Sequence, residues 1–253
     1  MSLNHPKLRQ AIKSAPLYPL NNFPNQFVKK LAESICVHLA TRGEGDLEGK
    51  DWEKIFADCI GAKWSPSNIG LDDITHNQSS TAWGAKTVKG KILTTSEANL
   101  KPQKVRLISG RNSPNYSYEE AIDPKKTNPN TVGEMVLEIW NTRVREVRAR
   151  FENLRTVVLV KGDELGRVAV FELDTELYIV KDFTWKWNKN GNLEGFDRTL
   201  EHRFTWQPHG SQFTIIDSIP HNALRLSIKR PKEIPKAEVL KQIGFDDTFF
   251  SKV

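Results

Sequence analysis

The spacing of apolar side chains changes once along this chain, near residue 155, and that change limits the fold more than any other feature. Ahead of it, Leu137, Trp140, Val144, Val147, Phe151 and Leu154 recur at intervals of three and four, which predicts a helix over 132–154. Thr131 and Glu134 have the spacing of a capping box at its start. Arg143, Arg145, Arg148 and Arg150 lie on the opposite face, toward water or phosphate. Beyond residue 155 the signals are those of strands, at 155–161, 167–173, 183–187, 204–206, 213–216 and 224–228. Phe183, Trp185 and Trp187 alternate with polar residues, which predicts a buried face, and Asn190-Gly191 marks a hairpin turn. A short helix is expected over 235–243.

The first half mixes both periods. Phe27, Leu31, Ile35 and Leu39 predict a helix over 22–42, with Asn22 as its cap and Pro24 in its first turn. Trp52, Ile55, Phe56, Cys59 and Ile60 predict a second over 50–61. Strands are expected at 69–75, 81–89 and 104–109, and a long loop over 112–130. Helices beside strands read as one α/β domain with a central mixed β-sheet. It has extra N-terminal helices in residues 1–45, a core over 50–230, a β-rich second half and a C-terminal helix and tail over 231–253. No apolar run reaches bilayer length, so no membrane partner is expected. Two cysteines, Cys36 and Cys59, make neither a disulfide framework nor a Cys-x-x-Cys zinc pair. Together with the absence of a signal-peptide pattern, these features point to a cytoplasmic protein.

The charge is uneven. Residues 86–111 hold Lys86, Lys89, Lys91, Lys101, Lys104, Arg106 and Arg111 against one acid, Glu97, an excess equal to the +6 of the whole chain. A local positive field of this kind attracts polyanions, and phosphate contacts supply most non-specific affinity for nucleic acid. The plain alternative is a solvated basic face.

Within this region, Gly70-Leu71-Asp72-Asp73-Ile74 and Thr81-Ala82-Trp83-Gly84-Ala85-Lys86-Thr87-Val88-Lys89 are joined by the polar turn His76-Asn77-Gln78-Ser79-Ser80. A hairpin here brings Asp72 or Asp73 across from Lys86. Carboxylates beside a lysine in a basic chain suit metal-assisted phosphodiester hydrolysis. The acids supply oxygen ligands for Mg²⁺, and the ammonium neutralises charge developing on phosphorus.

The order helix, acid strand, lysine strand resembles the PD-(D/E)xK nuclease core of type II restriction endonucleases, over roughly residues 50–111. The resemblance implies a restriction-endonuclease-like α/β fold, Mg²⁺-dependent cleavage of double-stranded DNA at a short specific site, a homodimer and a prokaryotic cytoplasm. It assigns the metal-holding aspartate to Asp72, with Asp73 as runner-up, and the lysine to Lys86. The family's second acid belongs two residues before the lysine, where this chain has Gly84. The substitute is expected to be Glu53, on the helix before the acids, with Glu97 second and Gln78 third. Base and phosphate contacts are expected from Lys89 and from the loop after the third strand, through Arg111, Asn112 and Ser113. A repair nuclease on the same core is one alternative. A DNA-binding protein without catalysis, because of Gly84, is another.

His5, His38, His76, His202, His209 and His221 show no metal spacing. Pro208-His209-Gly210-Ser211-Gln212 reads as a hairpin loop. No Gly-x-Ser-x-Gly elbow, Walker or dinucleotide-binding glycine pattern is present.

Overall fold

The computed structural model describes residues 14–43, 45–67, 70–92, 103–112, 126–249 and 251. In chain order the regular elements are α1 (Phe27–Arg42), α2 (Gly49–Ile60), β1 (Lys63–Trp64), β2 (Ile74–His76), β3 (Thr81–Lys89), β4 (Lys104–Arg111) and α3 (Pro129–Arg148). There follow β5 (Asn153–Lys161), β6 (Arg167–Asp174), β7 (Thr184–Trp187), β8 (Leu193–Phe196), β9 (His202–Gln207), β10 (Gln212–Ser218), β11 (Leu224–Ser227) and α4 (Lys236–Gln242). Among the described residues, no helix is long and apolar enough to cross a membrane.

The strands form two sheets where the sequence predicts one. The first has the order β1-β2-β3-β5-β6-β11, and the second β4-β10-β9-β8-β7. Among the described strands of the first sheet only β3 and β5 run parallel, from Thr81 opposite Asn153 to Lys89 opposite Lys161. The link between them passes through β4 and α3, as a parallel pair requires a long crossover. β5 is buried on both faces, which is why its apolar run is nearly continuous. Val157 and Leu159 meet α1 and α2, while Val158 and Val160 meet β4 and its surroundings.

The helices fill the two sides of this sheet. Phe27, Leu31, Ile35 and Leu39 of α1 and Trp52 and Phe56 of α2 pack on one face with Ile74, Trp83 and Ala85. On the other face α3 lies between the sheets. Its Val132, Val136, Leu137, Trp140, Val144 and Val147 touch Leu71 and Ala82 on one side and Trp185, Phe204, Trp206 and Phe213 on the other. Phe183, Trp185 and Trp187 thus face the core, as their alternation predicts.

Several boundaries differ from the sequence reading. α3 ends at Arg148, so Phe151 lies in the turn beyond it and Leu154 in β5, although both still pack into the core beneath α3. The cap is Asn128, whose side chain accepts from the N–H groups of Asn130 and Thr131, ahead of Pro129. The Thr131–Glu134 box does not form. α1 likewise begins at Phe27 after Gln26 rather than from Asn22. β4 belongs to the second sheet, paired with β10, and not to the sheet of the Asp–Lys hairpin.

A buried polar network lies under β3. The Glu172 carboxylate, fully enclosed, accepts from Tyr18 Oη at 2.9 Å, Trp83 Nε1 at 2.6 Å and Arg155 Nη1 at 3.2 Å. Arg155 also donates to the carbonyl of Tyr18 at 2.9 Å. Burial pushes the Glu172 carboxyl above the usual range, against the pull of Arg155 and of the Trp83 and Tyr18 donors. The network fastens the segment before α1 to β3, β5 and β6.

Candidate functional site

The acids sit just before β2, in a stretch that is not itself pleated strand. Its geometry is set by the preceding segment. The Ser65 N–H donates to the Asp73 carbonyl at 2.8 Å. The Ser67 N–H donates to Asp73 Oδ1 at 3.1 Å, and the Ser67 hydroxyl donates to Asp72 Oδ1. Ser67 Oγ accepts in turn from the Gly70 N–H at 3.1 Å. Both aspartates are buried.

The two acids have different partners. Asp72 forms an ion pair with Arg150, Nη1 to Oδ2 at 2.8 Å. Asp73 is the acid coupled to Lys86 and Glu53. Burial pushes the Asp73 carboxyl above the ordinary aspartate range; the Ser67 N–H pulls it back, Glu53 pushes it up, Lys86 pulls it down and Asp72 pushes it up. Burial likewise holds the Lys86 ammonium below the ordinary lysine range; Asp73 and Glu53 oppose this and Arg143 reinforces it. The sequence reading placed Asp72 ahead of Asp73. In the structure Asp72 is turned to Arg150.

Lys86 Nζ donates to the Gly70 carbonyl at 3.4 Å. Gly84, on the same side of β3 because strand side chains alternate, explains the close approach. A Cβ built on Gly84 meets the Gly70 carbonyl oxygen at 2.9 Å and Leu71 Cα at 3.1 Å. The chain bearing the acids therefore passes directly over this position, and no carboxylate fits there. Gly84→Ala is expected to lower stability by about 1–3 kcal/mol, since backbone must shift to admit the methyl group. A urea unfolding curve at wild-type stability would contradict that packing.

Glu53 is the acid that the sequence offers in place of Gly84. It projects from α2, half-buried, and its Oε2 accepts from Trp64 Nε1 at 2.9 Å. Among the described residues no group of three or more His, Cys, Asp or Glu side chains is arranged to hold a metal ion. The available donor set is the two carboxylates of Asp73 and Glu53 beside one lysine. That set fits Mg²⁺, which keeps several waters and is commonly held by one or two carboxylates together with substrate phosphate.

The remaining expected residues divide. Lys89 is exposed at the end of β3 and donates to Asp46 at 2.7 Å, on the rim of a cleft of 720 Å³ that also includes Lys91 and Lys161. Lys161 and Lys89 hold the Asp46 carboxyl well below the usual range. Arg111 is exposed at the end of β4. Asn112 is fully buried: its side chain donates to the Val136 carbonyl at 3.0 Å and its own carbonyl accepts from Trp206 Nε1. It braces α3 against the second sheet and is not presented to a ligand. Ser113 and Glu97 lie outside the described residues, and Gln78 is exposed in the turn between β2 and β3.

The arginines of α3 are used within the chain. Arg143 donates to the Arg111 carbonyl, Arg145 to Glu138 and Arg148 to the Thr175 carbonyl. His76 Nδ1 lies 2.9 Å from Ser79 Oγ and caps the turn before β3. His38 Nε2 lies 2.6 Å from the Asp46 carbonyl. The sequence reading missed Trp64 and Ser67. The signal available was the hydroxyl-rich turn Ser65-Pro66-Ser67 a few residues ahead of paired acids. Comparison with protein-family models, with curated proteins and with solved structures gave no match.

Proposed function

We propose that this chain is a Mg²⁺-dependent endonuclease of double-stranded DNA, of the type II restriction kind, on a PD-(D/E)xK core. The observation that carries the reading is the convergence of the acid segment and the lysine strand: Lys86 Nζ donates to the Gly70 carbonyl at 3.4 Å, three residues before the buried Asp73. The chain order supports it too: a helix with an acid, a segment with an acid, then a strand with the lysine.

In this reading Asp73 and Glu53 hold the metal, and Asp72 keeps Arg150 in place at the rim. Asp73 and Glu53 would hold Mg²⁺, which when bound would supply Lewis acidity toward the scissile phosphate and lower the pKa of coordinated water. Lys86 neutralises charge on the phosphate oxygens and orients the attacking water. Lys89 and Arg111, exposed at the ends of β3 and β4, are assigned to contact with phosphate and base. A symmetric site would be read by a homodimer.

Incubation with phage DNA and Mg²⁺ tests the proposal. Discrete fragments are expected from the wild type and none from Lys86→Ala. A smear instead of bands would favour a repair nuclease, and equal cutting by both proteins would remove Lys86 from the chemistry. One observation favours a second reading, a DNA-binding protein that does not cut. Among the described residues no third acid joins Asp73 and Glu53 to hold a metal, and Gly84 stands at the usual position of the second acid. That protein would bind DNA in a salt-dependent manner and leave it intact with Mg²⁺.

A further inference from the structure

The two carboxylates that the proposed function needs arrive from different elements, Glu53 from α2 and Asp73 from the stretch before β2. The short segment between them, residues 63–67, contacts both. β1 is only two residues long and forms the edge of its sheet, with Trp64 opposite Ile74. From this one segment the Trp64 indole N–H reaches Glu53 Oε2 at 2.9 Å, the Ser65 N–H reaches the Asp73 carbonyl at 2.8 Å and the Ser67 N–H reaches Asp73 Oδ1 at 3.1 Å. Each acid is thereby held by a donor on one oxygen. The indole ring is itself braced, with the Lys54 ammonium 4.6 Å from its centroid.

We infer that Trp64 is a positioning residue, its indole N–H fixing the Glu53 carboxylate so that Glu53 and Asp73 can take one divalent cation between them. The inference rests on the reading of these acids as metal ligands. A carboxylate on a three-bond side chain samples several rotamers when unheld, and a hydrogen bond to one oxygen selects among them at little cost to the basicity of the other. Partners of this kind, which touch the ligand and not the metal, commonly change affinity about 10–100-fold when removed. Neither Trp64 nor its indole touches the reacting atoms in this scheme.

The test uses Mn²⁺ as the probe, binding to the intact protein by titration calorimetry without DNA. Trp64→Phe keeps an aromatic ring and removes the donor. It is expected to weaken Mn²⁺ binding about 10–100-fold, with a melting temperature near that of the wild type and a higher Mg²⁺ requirement for cleavage. Glu53→Gln serves as the reference. If Glu53→Gln loses Mn²⁺ binding and Trp64→Phe retains wild-type affinity, the role of Trp64 is overturned and the two-carboxylate reading stands. If Glu53→Gln binds like the wild type, or the wild type binds no Mn²⁺, that reading falls and the role of Trp64 with it. Should Trp64→Phe fail to fold, the wild-type protein gives the answer by nuclear magnetic resonance. The Trp64 indole N–H signal should move as Mg²⁺ is added, and a signal that stays in place through saturation overturns the inference.

Discussion

Lys86→Met should abolish Mg²⁺-dependent DNA cleavage and at the same time raise the melting temperature of the metal-free protein. The loss of activity follows from the proposed role of the ammonium at the phosphate. Removing one preorganised electrostatic contact of this type costs about 10²–10³-fold in rate. The gain in stability follows from the direction in which burial moves this group. The folded-state pKa of Lys86 lies below its unfolded value, so folding opposes protonation of the amine. At neutral pH, where the amine is protonated in the unfolded chain, this contribution is unfavourable, and it fades as pH rises toward the ordinary lysine value of about 10.4. Asp73 contributes in the same sense. Its folded-state pKa is raised, so its cost is absent below the unfolded aspartate value and present at neutral pH. Replacing the half-buried ammonium with an apolar group of similar length removes its share. A higher melting temperature is expected. Scanning calorimetry and a cleavage time course on the same preparation check both halves. A variant that melts lower and cuts normally would show Lys86 to be a structural residue.

Arg155→Met should be the most destabilising single change outside the apolar core. It leaves Glu172 fully enclosed with no cation beside it and also removes the donor to the Tyr18 carbonyl. Breaking a buried ion pair by deleting one partner costs about 3–5 kcal/mol, because the surviving charge is uncompensated. The double variant Arg155→Met/Glu172→Leu should recover much of that loss, since apolar replacements of similar volume remove the desolvation cost from both sides. Urea unfolding of the two single variants and the double variant gives the coupling directly. Additive losses would mean that Arg155 and Glu172 act separately. Because Glu172 also accepts from Trp83, next to Gly84, cleavage should weaken in the single variants even below their melting temperatures.

Local signals located the elements well where one periodicity ran undisturbed. β3 spans Thr81–Lys89, the bounds expected from the sequence, and α2 lies within one residue of the expected helix. The helical stripe of α3 was read too far because Phe151 and Leu154 keep the same spacing after the helix has ended. They pack into the same cluster from a turn and a strand, so burial continues while conformation changes. β4 was legible as a strand, since Val105, Leu107 and Ser109 are buried in alternation. Its sheet was not, because pairing with β10 is decided by residues a hundred positions away.

The candidate site shows the same division. Asp73, Lys86 and Glu53 were all named from residue type and order. The choice between Asp72 and Asp73 depends on where β2 begins. It begins at Ile74, so the acids precede the pleat and the alternation rule does not reach them. Their directions come from Ser67 and Arg150, contacts that no spacing rule contains. Gly84 was legible only as a departure. Its physical reason, the chain passing within contact of its α-carbon, belongs to the folded molecule.

The parallel pairing of β3 with β5 also bears on how the protein is made. While a ribosome has released β3 but not residues 153–161, the strand has the β2 hairpin on one side and a bare ladder of amides and carbonyls on the other. Sheets closed by such distant partners form slowly, and the waiting edge invites association with other nascent chains. Overexpression at reduced temperature, or with added chaperone, should raise the soluble yield, and fragments ending before residue 150 should collect in inclusion bodies.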